Sequence, residues 1–336
     1  MPGVLLAVPF IVLLAGEAHA FEKLEGFFVA TAVCDLPQSM KTGANPGDLL
    51  TEPNEVYEMI GTNSSERAHF QIRIPDAPGS TDRWVDGNCG MHVAGTVASS
   101  AAEDTADERN PRPVSNEVNV LALSWQSAFC EHRPRTRECE LLNDGALPMA
   151  EIRFSVHGLW PQPRDQEYCG VSDSIIDRDT SGRWRDLPDG DVSRATLEAL
   201  AVAMPGALSS LHRHEWIKHG TCYNAQGGAD EYFSDTLMLT NAVNASEVGS
   251  YVAGRLGEEV RTSWIRQRFD EAFGAGAGDR VEFVCSDDGS RRLLRELRIS
   301  LRGEITENSS LGDLMLAASP VDQGCKKGII DTYGLQ

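Results

Sequence analysis

The pattern of apolar and polar positions changes rhythm once along the chain. GFFVATAVC, NEVYEMIGTN, AHFQIRIP and RWVDGNCGMHV are short β-type runs separated by turn signals such as GANPGD, and none keeps a helical period. They predict a small all-β domain over residues 21–98. Residues 99–117, SSAAEDTADERNPRPVSNE, have almost no apolar content and predict an acidic linker. Beyond it, VNVLALSWQSAFC and AEIRFSVHGLW are β-branched apolar runs that predict central strands. SRATLEALAVAMPG opens on a serine cap and keeps helical spacing. SSLHRHEWIKHG, ADEYFSDTLMLTNAVN, SEVGSYVAGRLGEEV and TSWIRQRFDEAFG predict further helices, and RVEFVCSD and LLRELRISLRG return to strand. Strands flanking a run of helices predict an α+β domain over 118–336, an antiparallel sheet packed with several helices.

A length of 336 residues suits two domains. The opening MPGVLLAVPFIVLLAGEAHA has an apolar core followed by the small-x-small pattern Ala18-His19-Ala20, so residues 1–20 are expected to be a signal peptide. That core is too short to span a bilayer, and no later stretch is apolar enough to do so, so no membrane association is expected once the leader is gone. Export, to the periplasm or out of the cell, makes the eight cysteines informative. An even number in an oxidising compartment favours disulfides, and no C-x2-C pair suggests zinc. Two cysteines, Cys34 and Cys89, precede residue 110 and pair naturally with each other. The other six, Cys130, Cys139, Cys169, Cys222, Cys285 and Cys325, follow it.

Charge narrows the partners. The chain carries −20, or −19 once Glu17 leaves with the leader. A broad basic surface for duplex nucleic acid is excluded, so any polyanion must be held by a few cations in a local cleft. The turns of residues 21–98 and the ending Trp84-Val85…Cys89-Gly90 resemble bacterial SH3-like barrels. Such modules bind ligands or partners, here an unidentified ligand. A structural cap for the second domain is the alternative.

Two histidine motifs carry the chemistry. On a helix, His214, Glu215, Lys218 and His219 of HEWIKHGTC fall within an arc of about 140°, with Trp216 and Ile217 pointing elsewhere. A solvated face favours Lys, Arg and Glu over histidine. A zincin needs H-E-x-x-H, and the H-E-x-x-x-H spacing here turns the second imidazole away from the first. The other motif, FSVHGLWP, is an apolar strand that runs into His157, followed by Gly158 and Trp160-Pro161. Alone, His157 reads as a satisfied core histidine.

Together the two motifs resemble the active-site signatures of the ribonuclease T2 family, the secreted acid ribonucleases of fungi, plants and bacteria. The resemblance covers about 118–336 and looks most like a bacterial periplasmic branch. It implies catalytic roles for His157, Glu215, Lys218 and His219, phosphate contact by His214 and base stacking by Trp160. Gln162 stands where fungal relatives often have an aspartate that assists base recognition, so their base preference does not transfer. It also implies the disulfides Cys130–Cys139, Cys169–Cys222 and Cys285–Cys325.

The expected reaction is cleavage of single-stranded RNA, not DNA, through a 2′,3′-cyclic phosphate to 3′-phosphate ends, with low base specificity and with no metal or cofactor. His219 would be the base and His157 the acid, while Glu215 either orients a neighbouring imidazole or donates a proton. The contrasting expectation is a binding protein on a ribonuclease fold that has lost activity. Inactive relatives of that kind lose one of the two histidines, and this chain keeps both.

Overall fold

The computed structural model describes residues 21–24, 26–30, 32–52, 55–63, 68–93, 118–223 and 226–336. The expected leader and linker lie outside them. Among the described residues, six short strands come first: β1 (Glu22–Lys23), β2 (Phe27–Ala30), β3 (Val56–Thr62), β4 (His69–Arg73), β5 (Asp82–Asp86) and β6 (Gly90–Val93). They form one antiparallel sheet in the order β5-β4-β3-β2-β6, with β1 on β3. A small core of Phe28, Leu36, Met59, Phe70, Ile72 and Val85 backs it, tied by Cys34–Cys89. Strand β2 is buried on both sides. Its Phe27 and Val29 join the core of the rest of the chain, and Arg194 lies over the Phe27 ring while facing Glu58.

The larger sheet has strands β7 (Val118–Ser124), β8 (Ser155–Pro161), β9 (Glu259–Arg261), β10 (Val281–Asp288), β11 (Arg291–Arg302) and β12 (Lys327–Ile329). Strand β11 is its axis. β10 runs along one side, and β7 and then β12 pair with the other, so the order is β8-β7-β11-β12-β9 with β10 on β11. Residues directly opposite each other on antiparallel strands project to the same face. Leu121, Leu159 and Ile299 are one such row, and with Leu123, Leu297 and Leu301 they are fully buried in the core. The opposite face holds the rows Val120–Trp160–Ser300 and Ala122–Gly158–Arg298, with Glu282 beside Arg298. Alternation along β7 and β11 therefore gives one apolar face and one face that can floor a cleft.

Among the described residues, ten α-helices surround the sheet: α1 (Gln126–His132), α2 (Arg137–Asn143), α3 (Pro148–Ile152), α4 (Asp173–Thr180), α5 (Arg194–Ala203), α6 (Leu211–Lys218), α7 (Gly228–Asn244), α8 (Glu247–Ala253), α9 (Thr262–Phe273) and α10 (Leu311–Ala317). Ser193 caps α5 by accepting from the Thr196 N–H. Several elements differ from the expectation. WQSAFC does not extend β7. Trp125 is fully buried with its indole N–H on the Asp331 carbonyl, and the chain turns there into α1 so that Cys130 meets Cys139. AEIR does not begin β8 but ends α3, which starts on Pro148, a residue suited to a first helical turn. The segment 246–260, SEVGSYVAGRLGEEV, is helical only to Ala253, and its end enters β9. Helices α2, α4 and α10, each of seven or eight residues, are too short for a clear period.

Leu297 sits mid-β11 with no exposed surface. Leu297→Ala should cost about 2–5 kcal/mol from lost burial and a residual cavity. Urea unfolding with the disulfides intact checks this, and an unchanged midpoint would contradict the packing described.

Candidate active site

Both motifs open onto one cleft of about 460 Å³, lined by His157, Trp160 and Gln162 from β8 and its exit and by His214, Glu215, Lys218 and His219 from α6. Arg164, Glu167, Glu282, Arg298 and Ser300 complete its polar lining. The structure therefore gathers all seven residues singled out from the sequence.

Local backbone geometry aims them. Strand β8 pairs Val156 with Leu123 and Gly158 with Ala122, leaving His157 as the extra residue of a bulge. Such a bulge re-aims a side chain and recurs beside active sites. Helix α6 starts after Ser210, which takes a left-handed conformation. His219 ends the helix, its backbone N–H on the Glu215 carbonyl. Cys169–Cys222 ties the loop beyond β8 to the residue three past His219. By the chain-entropy model, a closed loop of that length contributes about 4 kcal/mol.

Glu215 is the hub. It is only 1% exposed, yet it is a carboxylate. Its Oε2 accepts from the Trp160 indole N–H at 2.9 Å. Its Oε1 lies 3.6 Å from His157 Nε2 and 3.9 Å from His214 Nε2. Burial raises its pKa against the pull of both imidazoles, the Trp160 bond and Lys218. Gly158 makes room for it, because a β-carbon built there would collide with Oε2.

The three imidazoles differ in their partners. His157 Nδ1 is 2.7 Å from Glu296 Oε2. Burial disfavours its charged ring, but the Glu296 bond and the charges of Glu215 and Glu296 outweigh this, holding the pKa above the ordinary 6.5. His214 Nδ1 is 2.7 Å from Asp179 Oδ1, Trp184 stacks on its ring at 4.5 Å, and the Tyr168 hydroxyl donates to Asp179 Oδ2. Those hydrogen bonds outweigh burial and keep the Asp179 pKa below its usual value. His219 has no carboxylate partner among the described residues. Burial, then the Lys218 charge and the other two imidazoles, lower its pKa to about 3.

Trp160 stands between these groups, its ring centroid 5.2 Å from that of His157 and 5.5 Å from that of His219, with Arg298 over it. Lys218 Nζ is 3.5 Å from Glu167. Gln162 donates through Nε2 to the Trp160 carbonyl, so its amide is turned back toward β8.

Sequence reasoning missed Glu296, Arg298, Asp179 and Trp184. Glu296 carried a signal, an acid at a sheet position between leucines in LRELRIS. Asp179 and Trp184 had none, since only α4 and the turn after it bring them to His214.

The Ribonuclease T2 family profile matches residues 116–311, more than half of the chain. The chain belongs to the ribonuclease T2 family. It is an endoribonuclease of that type. It is 30% identical over 241 residues to Ribonuclease I of Escherichia coli (strain K12), covering 64% of this chain and 86% of that protein. It is 26% identical over 207 residues to a ribonuclease of Aeromonas hydrophila, covering 58% and 76%. Among solved structures, Japanese pear S3-RNase matches at 16% identity and a TM-score of 0.42, over 64% of this chain and 99% of that one. Among the described residues of this ribonuclease, no helix is long and apolar enough to cross a membrane.

Gly158→Ala should push the Glu215 carboxylate out of place and lower RNA turnover on the order of 100-fold, the usual cost of a 1 Å misplacement. Steady-state kinetics on a short oligoribonucleotide check this. Turnover within twofold of the parent would show that Glu215 need not sit where it does.

Proposed function

We propose that this ribonuclease is exported and cleaves single-stranded RNA without metal by transphosphorylation, giving a 2′,3′-cyclic phosphate and then a 3′-phosphate, with low base specificity. The observation that carries the reading is a single cleft that gathers three imidazoles and an ammonium, with two of the imidazoles, His157 and His214, facing one buried carboxylate.

The 2′-hydroxyl is the nucleophile, which limits the substrate to RNA. Its proton passes to a neutral imidazole while a charged imidazole protonates the departing 5′-oxygen. His219, with its pKa lowered, suits the acceptor, and His157, with its pKa raised, suits the donor. Lys218 and His214 face the charge that develops on the phosphorane. Glu215 orients His157 and His214 and, because burial raises its pKa, can also carry a proton in acid. Gln162, whose Nε2 is turned back onto the Trp160 carbonyl, stands where fungal relatives often have the aspartate that assists base recognition, which supports low base specificity. Four disulfides, Cys34–Cys89, Cys130–Cys139, Cys169–Cys222 and Cys285–Cys325, support export to an oxidising compartment. Residues 21–98 we assign to a structural cap, through the burial of Phe27 and Val29.

Cleavage of total RNA should persist in excess EDTA, stop in His157→Ala and His219→Ala, and fail on an oligonucleotide with a 2′-deoxyribose at the scissile position. Activity lost on chelation and restored by a divalent cation would refute the mechanism.

The pH profile follows from the two histidines. The base is active only when neutral, so the rate rises as pH passes about 3. The acid is active only when protonated, so the rate falls once pH passes the His157 value, above 6.5. The expected profile is a broad bell on the acid side of neutrality. A rate still climbing at pH 9 would exclude an imidazole pair.

A further inference from the structure

We propose that Glu296 is a positioning residue of the cleavage reaction: its carboxylate accepts a hydrogen bond from the Nδ1–H of His157, turns Nε2 toward the cleft as the proton donor, and is itself held in place by Arg298. The proposal rests on the assignment of His157 as general acid.

The geometry is specific. Glu296 lies on β11 and His157 on β8, with β7 between them. Side chains two strands apart meet only if the middle strand carries small residues there. Strand β7 does so, with Ala122 and Ser124 opposite Arg298 and Glu296. The bulge at His157 completes the approach. Glu296 is 4% exposed and would be costly to bury unpaired. Both of its oxygens are used, Oε2 on His157 at 2.7 Å and Oε1 on the Arg298 Nε at 2.6 Å. Arg298 reaches on to Glu282 of β10.

With Nδ1 committed, the proton available to substrate is on Nε2, which faces Glu215 across the cleft. A histidine satisfied only for packing would not leave its second nitrogen in the substrate cleft. The groups facing His157 are Glu296 and Arg298 from β11 and Glu215 from α6, with His219 at the end of that helix. The Glu296 interaction supports the charged ring and Arg298 opposes it. His219, lacking such a partner, stays the neutral member.

The test uses Glu296→Gln and Arg298→Gln in the full mature chain. The rate on an oligoribonucleotide with one cleavable ribose is measured against pH, and the His157 ring is titrated by NMR. Glu296→Gln should lower kcat about tenfold or more with little change in KM. It should also move the alkaline limb and the His157 titration together to lower pH, because removing a carboxylate disfavours the imidazolium. Arg298→Gln should move both the opposite way, and it tests the pairing even if Glu296→Gln fails to fold. A uniform loss of rate with limb and titration unmoved would mean a merely structural role and overturn the proposal. A titration that moves while the limb stays put would overturn it too, and would place the failure in the assignment of His157 as the acid.

Discussion

A carboxylate sealed from water is tolerated only where cations and donors surround it, and Glu215 sets that requirement for everything near it. Its oxygens are met by the Trp160 indole and by the Nε2 atoms of His157 and His214. Gly158 leaves the space it occupies, and Trp160, two residues on along the same face of β8, supplies the donor. The two motifs are thus chemically interdependent: the strand motif makes the pocket for the helix motif's carboxylate, and that carboxylate holds the strand motif's histidine and tryptophan.

The sheet lets this happen without exposing the core. Strands β7 and β11 alternate so that leucine and isoleucine fill one face, while Val120, Ala122, Glu296, Arg298 and Ser300 sit on the other. The same period-two pattern that stabilises the domain floors the cleft. The bulge at His157 and the Cys169–Cys222 bridge then fix the two motifs in register with that floor.

An acidic protein that cuts a polyanion must confine its positive charge. The chain carries −20, yet its cleft gathers Lys218, Arg164, Arg298 and three histidines. Buried acids divide labour among those histidines. Glu296 supports a charged His157 and Asp179 engages His214, whereas His219, beside Lys218, is kept neutral.

The sequence alone pointed to the family and to the residues that gather in the cleft, because FSVHGLWP and HEWIKHGTC are contiguous and each encodes its own strand or helix. It also determined the main strands and the longer helices, whose apolar periods are strong. The turn from β7 into α1 and the short helices α2, α4 and α10 were not legible, since packing and the Cys130–Cys139 bridge outweigh a weak local period there. Nor were Glu296, Arg298, Asp179 and Trp184. Glu296 lies 139 residues from His157 and Asp179 lies 35 from His214. Only the order of strands β8-β7-β11 and the packing of α4 against α6 bring those partners together, because a hydrogen bond depends on distance in space and leaves no spacing rule along the chain.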